Sequence, residues 1–152
     1  MDGVGHSAIE QTVQEYFEAA LAIDADAIAR VFSPGSLWFN PLVEDPVEGP
    51  GGAFRFLQRL EREFGNLRRT ARSVFVLDDA AAATWTGRGR GTDGREADVS
   101  GVDVVEVDPD GRIRSLWSYW DPGALTGSTD DGEARGTTGH PVPSNPKTPV
   151  QG

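Results

Sequence analysis

The chain has 152 residues, a net charge of −10 and no cysteine. A chain of this length suits one domain with a single hydrophobic core. The negative charge argues against nucleic acid or an anionic membrane surface as a partner, and the absence of cysteine excludes disulfides and thiolate metal sites.

The two histidines, His6 and His140, fall near the ends of the chain, so we expect no metal site. The sequence contains neither a signal-peptide core nor an apolar run of about 18 residues, the length that a membrane span needs. We therefore expect a cytoplasmic protein with no membrane partner.

Apolar residues at helical spacing predict three helices in the first half of the chain. Ser7 with Glu10 three residues later is typical of a capping box at the start of the first helix. A short strand, 37–39, is expected to end at Asn40 and Pro41, because proline cannot donate to a sheet. The predicted helices cover residues 7–22, 27–32 and 51–64.

The second half predicts a meander of antiparallel strands, with an Asp93-Gly94 hairpin turn. The fold class is therefore α+β: a curved antiparallel sheet wrapped around three N-terminal helices. We expect the folded domain to span residues 1–122. Residues 123–152 hold no aromatic residue and are expected to form a disordered tail. The predicted strands cover residues 68–77, 82–91, 96–107 and 112–120.

Asp103 is an unusual residue for its position, since it lies within an apolar strand. Strand alternation places it on one face with Val99, Gly101 and Val105. It is either buried, where desolvation favours the protonated form that donates a hydrogen bond, or an edge-strand charge that limits aggregation.

Several short motifs resemble the ketosteroid isomerase and SnoaL-like group of the nuclear-transport-factor-2-like superfamily. The resemblance runs from Tyr16 to Trp120 and implies a cone-shaped sheet that encloses a pocket. The motifs that carry it are Tyr16 in the first helix, the Gly49 region, the Asp93-Gly94 turn, Asp103-Val104, Asp108, Gly111-Arg112-Ile113 and Tyr119-Trp120.

In ketosteroid isomerases, the established case of a carboxylic acid kept neutral, a tyrosine and a protonated aspartate bind the dienolate oxygen. The resemblance assigns these roles to Tyr16 and Asp103. The position of the catalytic base holds Asn40, whose carboxamide cannot accept a proton but can still bind a substrate oxygen. Whether another carboxylate, Asp45, Glu61 or Glu63, replaces the base stays open.

The resemblance also implies a pocket wall, which we expect to bind substrate. Arg88 would then bind an anionic substrate group or pair with Asp103, which would end the donor role of Asp103; alternatively, it lies at a solvated strand end. The same orientation turns Trp85, Trp117 and Tyr119 outward, which favours a homodimer through the outer sheet face. The predicted wall residues are Phe56, Arg88, Val99, Gly101, Leu116 and Trp120.

The resulting functional hypothesis is a cofactor-independent cyclase or isomerase. It would act on a hydrophobic polyketide- or steroid-like substrate by activating an enolate, carbonyl or epoxide oxygen. The rival hypothesis is a non-catalytic ligand-binding or dimerisation protein that has lost its base. The enzyme hypothesis requires the side-chain oxygens of Tyr16 and Asp103 to meet.

Overall fold

The computed structural model describes residues 5–65 and 67–127. Over these residues the chain forms one six-stranded sheet, in the order β2-β1-β6-β5-β4-β3, with helices packed on one face. This α+β arrangement agrees with the predicted fold class. The helices are α1 (His6–Ala22), α2 (Ala25–Val31), α3 (Gly49–Phe64) and α4 (Gly123–Thr126), and the strands are β1 (Phe32–Phe39), β2 (Val47–Glu48), β3 (Thr70–Leu77), β4 (Ala80–Arg90), β5 (Glu96–Val107) and β6 (Ile113–Trp120).

The long strands β3 to β6 form the predicted antiparallel meander, and β1 joins it by pairing in parallel with β6. The expectation of a short first strand is wrong, because β1 already begins at Phe32. Its register with β6 is irregular between Phe32 and Leu37, and this stretch contains Pro34. An irregular segment tolerates proline because it lacks the regular ladder of hydrogen bonds.

The helix ends differ from one another in how they are capped. Gly5 precedes α1 and gives no side-chain hydrogen bond, so the predicted Ser7–Glu10 capping box is wrong. Asp24 caps α2 by accepting from the backbone N–H groups of Asp26 and Ala27. A side-chain oxygen at this position satisfies N–H groups that have no partner within the helix.

The inner face of the sheet carries Trp85, Asp103 and Leu116, which are at most 2% exposed. Asp103 lies opposite Ala83 on β4 and opposite Ser118 on β6. The prediction that Trp85 faces outward is therefore wrong. Arg88 does not line an inner wall, and the alternative of a solvated position is the one the structure shows. Alanine at 81 and 83 with Trp85 provides an apolar inner face, whereas the alternate set of Thr84, Thr86 and Arg88 is left for the solvent side.

The chain continues in an ordered form past residue 122, where the tail was expected to begin. In α4, Leu125 is 2% exposed, and its carbonyl accepts from the N–H of Thr92. This helix packs on β5. The rest of the predicted tail, residues 128–152, lies outside the described residues.

Candidate active site

Asp103 is the centre of a buried polar network that joins α1 to the sheet. The Tyr16 hydroxyl donates to its Oδ2 at 2.6 Å, and Arg69 Nη1 donates to the same atom at 2.8 Å. Trp85 Nε1 donates to Oδ1 at 3.0 Å. Arg69 Nη2 also donates to the Tyr16 oxygen at 2.7 Å, so the hydroxyl, the carboxylate and the guanidinium form a closed ring of contacts.

Each member of the network comes from a different element. Tyr16 is on the apolar face of α1, Arg69 directly precedes β3, Trp85 lies in β4 and Asp103 in β5. Small residues make room for the indole of Trp85, since a Cβ on Gly101 would lie 2.7 Å from its Cζ2. A larger residue at position 101 would therefore displace one of the groups that hold Asp103.

Aromatic rings surround the guanidinium of Arg69. Its Cζ lies 5.2 Å from the ring centre of Tyr16, 5.0 Å from that of Phe17 and 5.0 Å from that of Trp85. Such cation–π contacts strengthen as water is removed. The Arg69 side chain is 9% exposed and that of Asp103 is 1% exposed, so this is an enclosed ion pair.

The charges of the network follow from its contacts. Burial alone would lower the pKa of Arg69, but Tyr16 and Asp103 beside it raise that pKa above its ordinary value. Burial raises the pKa of Tyr16 well above its ordinary value, and the adjacent Asp103 adds to this effect against the opposing influence of Arg69. Tyr16 is therefore a neutral hydroxyl and Arg69 a permanent cation.

The expected role of Asp103 as a protonated donor does not fit this environment. Three groups donate to its two oxygens, and one of them is a cation. These donors match the acceptor-only chemistry of an ionised carboxylate. The structure does bring the oxygens of Tyr16 and Asp103 together, as the enzyme hypothesis requires, but it makes Asp103 the acceptor of the pair.

Sequence reasoning foresaw an arginine paired with Asp103 but named the wrong one. Arg88 lies on the outer face, where its side chain is 59% exposed and its Nε is 2.9 Å from Asp98 Oδ1. Arg69, which fills the role, is 34 residues from Asp103 in the chain. Its position directly before the alternating residues of β3 indicates that Arg69 lies beside the sheet, but the local sequence pattern does not indicate that its side chain is buried.

Asn40, at the expected base position, is 2% exposed. Its Oδ1 accepts from the backbone N–H of Leu42 at 3.1 Å, which ties the side chain to its own loop. The three carboxylates considered as substitutes, Asp45, Glu61 and Glu63, are all exposed. Among these four positions, only Asn40 is buried with the core.

The remaining predicted wall residues, apart from Arg88, belong to the core or border it. Phe56 packs edge-on against Trp38 with ring centres 5.1 Å apart, and Trp120 lies 6.3 Å from Trp85. Val99 and Leu116 are buried. The space beside Gly101 is occupied by Trp85 and Trp120, so these residues surround the Asp103 network with apolar surface.

Neither a metal-ligand cluster nor a membrane-spanning helix occurs in the part of the chain that the structure describes. Its histidine and acidic side chains form no group of three or more that could hold a metal ion. No helix among the described residues is long and apolar enough to cross a membrane.

Comparison with known proteins places the chain in a family. The family model of the SnoaL-like domain matches residues 13–116, so the chain belongs to this family. No curated protein matches its sequence. Solved structures share its fold at identities too low to indicate more than the fold.

Three of these structures illustrate the range of proteins that share the fold. TsrD from Streptomyces laurentii is 22% identical, with a TM-score of 0.67 over 80% of this chain and 94% of that one. IdmH from Streptomyces antibioticus, a candidate polyketide cyclase, is 18% identical, with a TM-score of 0.67 over 77% and 94%. SalBIII, an epoxide hydrolase/cyclase-like enzyme in pyran ring formation of the polyether salinomycin, is 19% identical, with a TM-score of 0.65 over 76% and 92%.

Proposed function

We propose that the protein is a cofactor-independent acid–base enzyme, a cyclase or isomerase acting on a hydrophobic, oxygenated substrate of polyketide or steroid type. The observation that carries the proposal is the Tyr16–Arg69–Asp103 ring. It joins a carboxylate acceptor to a neutral hydroxyl and a fixed cation within an apolar surround. These are the groups that formation and stabilisation of an enolate require.

The proposed reaction begins with proton transfer to Asp103. A carboxylate oxygen of Asp103 takes a proton from the carbon next to a substrate carbonyl, and the negative charge moves to the carbonyl oxygen. Tyr16 and Arg69 then donate hydrogen bonds to that oxygen, exchanging their contacts with the protonated Asp103 for contacts with the enolate. In a cyclase, the enolate carbon bonds to a second carbonyl carbon, whose π bond breaks, and Asp103 gives its proton to the resulting alkoxide oxygen. In an isomerase, Asp103 gives the proton to another carbon of the conjugated enolate.

Asn40 is assigned a supporting part in this scheme. Its carboxamide oxygen is engaged by Leu42, whereas its NH₂ group can donate to a substrate carbonyl or hydroxyl. Because the Asn40 carboxamide cannot accept a proton, the proton-transfer role is assigned to Asp103. An Asn40→Asp variant would restore a carboxylate at the family's base position. This variant is expected to gain isomerase activity on a 5-ene-3-ketosteroid, measured by the absorbance of the conjugated product.

Proton exchange in D₂O tests the proposal without knowledge of the natural substrate. 2-Tetralone carries acidic hydrogens beside its carbonyl, and their replacement by deuterium is followed by NMR. The protein is expected to accelerate this exchange, and Asp103→Asn should reduce the acceleration by about 10²-fold or more, the usual contribution of a general base. Tyr16→Phe should reduce it less, because Arg69 still reaches the enolate oxygen.

A matched control separates this chemistry from general damage to the fold. Asp98→Asn removes a carboxylate from the same strand, at a site on the outer face that is 76% exposed. It should leave exchange unchanged. Exchange at the buffer rate with the wild-type protein, or equal exchange in Asp103→Asn and wild type, would exclude the enzyme reading.

The second candidate function is a ligand-binding protein without catalysis. It is favoured by the engagement of Asp103, whose two oxygens already accept three hydrogen bonds. This candidate predicts that 2-tetralone binds, as detected by calorimetry, while its hydrogens exchange at the buffer rate. The same experiment thus distinguishes the two.

We also propose that a second copy of the chain covers the apolar part of the outer sheet face. A row of apolar side chains crosses five paired strands there, and Phe75 within it is 66% exposed. Leu77, on the same strand face, is 67% exposed. Large exposed apolar patches are typical of association surfaces, and identical patches pair around a two-fold axis. The row consists of Phe75, Ala82, Val104, Trp117 and Phe39.

The mass of the protein in solution tests this arrangement. Light scattering after gel filtration should give twice the chain mass of 16.3 kDa. Phe75→Glu should shift the protein toward monomer, whereas Leu21→Glu should not, because Leu21, although 48% exposed, lies on α1 away from the sheet. A monomeric wild-type protein at tens of micromolar would contradict the proposal.

A further inference from the structure

A groove rich in arginine lies on the other side of the backbone from the Asp103 network. It has a volume of about 820 Å³ and is bordered by the end of α3, the start of β3 and the part of the β4–β5 hairpin next to its turn. Arginine supplies four of its lining residues, and hydroxyl groups stand beside them. The polar lining residues include Arg68, Arg72, Arg88, Arg90, Thr70 and Thr86.

The groove is positive in a protein that is otherwise strongly acidic. Four guanidinium groups face only two carboxylates there, those of Glu96 and Asp98, while the whole chain carries −10. Both carboxylates pair with the same arginine, Arg88. Arg72 and Arg90 take part in no salt bridge among the described residues, so their two positive charges lie together in one concave surface, an arrangement that raises the local concentration of anions.

The arginines differ in how far their donors are already used. Arg72 donates through Nε to the Thr86 hydroxyl at 2.9 Å. This bond orients the guanidinium group of Arg72 and does not use its two terminal NH₂ groups. Within residues 5–65 and 67–127, Arg90 takes part in no salt bridge. Its Nη2 packs close to Gly65 at the end of α3, where a Cβ would approach it to 3.0 Å.

The backbone directs consecutive arginines to opposite sides. Arg68 has a φ of +52°, a conformation that is uncommon for residues other than glycine. Arg68 lines the groove, while Arg69 turns inward to Asp103. A strained backbone of this kind persists only where the surrounding structure holds it, and it is often found at ligand sites.

We propose that this groove binds the phosphate monoester group of a small molecule. Planar guanidinium groups match the oxygen geometry of phosphate and bind it through paired hydrogen bonds. A phosphate monoester carries a charge of about −1.5 to −2 at neutral pH, which matches the two positive charges of Arg72 and Arg90. Arg72 and Arg90 bind the phosphate oxygens, Arg68 adds positive charge, and Thr70 contributes a hydroxyl donor.

Calorimetric titration with three dianions at low ionic strength tests this site. The probes are phenyl phosphate, inorganic phosphate and succinate. Phenyl phosphate and inorganic phosphate are expected to bind, and succinate at least tenfold more weakly, because its separated carboxylates do not present a single tetrahedral group. The two phosphates distinguish an organic ester from the free ion, and the ester must bind at least as tightly as the ion for the proposal to stand.

A double variant locates the binding. Arg72→Gln with Arg90→Gln is expected to weaken phenyl phosphate binding at least tenfold. Arg30→Gln with Arg112→Gln makes the same change in net charge at two exposed positions outside the groove and should weaken it less than twofold. Thermal unfolding of both variants verifies that they are folded.

Three results would each overturn the proposal. They are the absence of phosphate binding at millimolar concentration, equal loss of affinity in the two double variants, and equal affinity for succinate and phosphate. None of these outcomes depends on the Asp103 network, so they are independent of the proposed enzymatic activity.

Discussion

Replacing Arg69 by methionine isolates the energy of the buried ion pair, because methionine keeps most of the side-chain volume and removes the charge. Asp103 is 1% exposed and would be left with only Tyr16 and Trp85 as donors. Removing one partner of a buried pair typically costs about 3–5 kcal/mol, since the other charge stays buried without compensation. At about 4 °C per kcal/mol for a domain of this size, the unfolding temperature should fall by roughly 12–20 °C.

The assay is urea unfolding of four proteins: wild type, Arg69→Met, Asp103→Asn and the double variant. The double variant should be less destabilised than the sum of the single variants, by about 1–3 kcal/mol, because it no longer buries an unpaired carboxylate. Arg59→Met serves as the control; its pair with Glu63 has side chains that are 41% and 44% exposed, and such a pair contributes only about 0.3–0.5 kcal/mol. Equal losses for Arg69→Met and Arg59→Met, with additive effects in the double variant, would refute the reasoning.

Three further predictions concern other parts of the fold. Burial raises the pKa of Glu106 above its ordinary value of 4.5, although Arg114 opposes this. The folded protein therefore binds this proton more tightly than the unfolded chain does. Thermal unfolding across pH should show that wild type gains stability relative to Glu106→Gln as the pH falls from 7 toward 4.5. Gly87→Ala should lower the unfolding temperature, because its Cβ would lie 2.6 Å from the backbone oxygen of Leu67, whereas Gly35→Ala, where nothing lies within 4 Å, should change it little. Leu125→Ala should cost about 2–5 kcal/mol in urea unfolding if α4 belongs to the folded domain, and a loss below about 0.5 kcal/mol would show that it does not.

The sequence was a good guide to the elements and a poor guide to which face of the sheet points inward. The bounds of β5 could be predicted because its alternating residues follow an Asp-Gly turn. In β4, both alternate sets contain alanine and small or polar residues, so periodicity alone did not reveal that Trp85 faces inward. Because Trp85 and Arg88 lie on opposite faces of β4, an inward Trp85 places Arg88 at the surface.

The candidate site could be predicted in part for a related reason. Tyr16 and Asp103 carry local signals, an apolar helix face and an apolar strand, that single them out. The burial of Arg69 depends on contacts with Tyr16, Trp85 and Asp103, which become neighbours only when α1 packs on the sheet. A sequence pattern reports side-chain periodicity, but it does not report which distant carboxylate compensates a charge.

The placement of Trp85 gives the site a built-in optical reporter. Its indole N–H bonds to Asp103, and the Arg69 cation lies 5.0 Å from its ring. The absorption and emission energies of an indole shift with the electric field across the ring, so any ligand that draws Arg69 or Asp103 away changes the spectrum of this residue. Subtracting the spectrum of a Trp85→Phe variant removes the signals of the other three tryptophans, and occupancy of the site then becomes visible with unlabelled compounds.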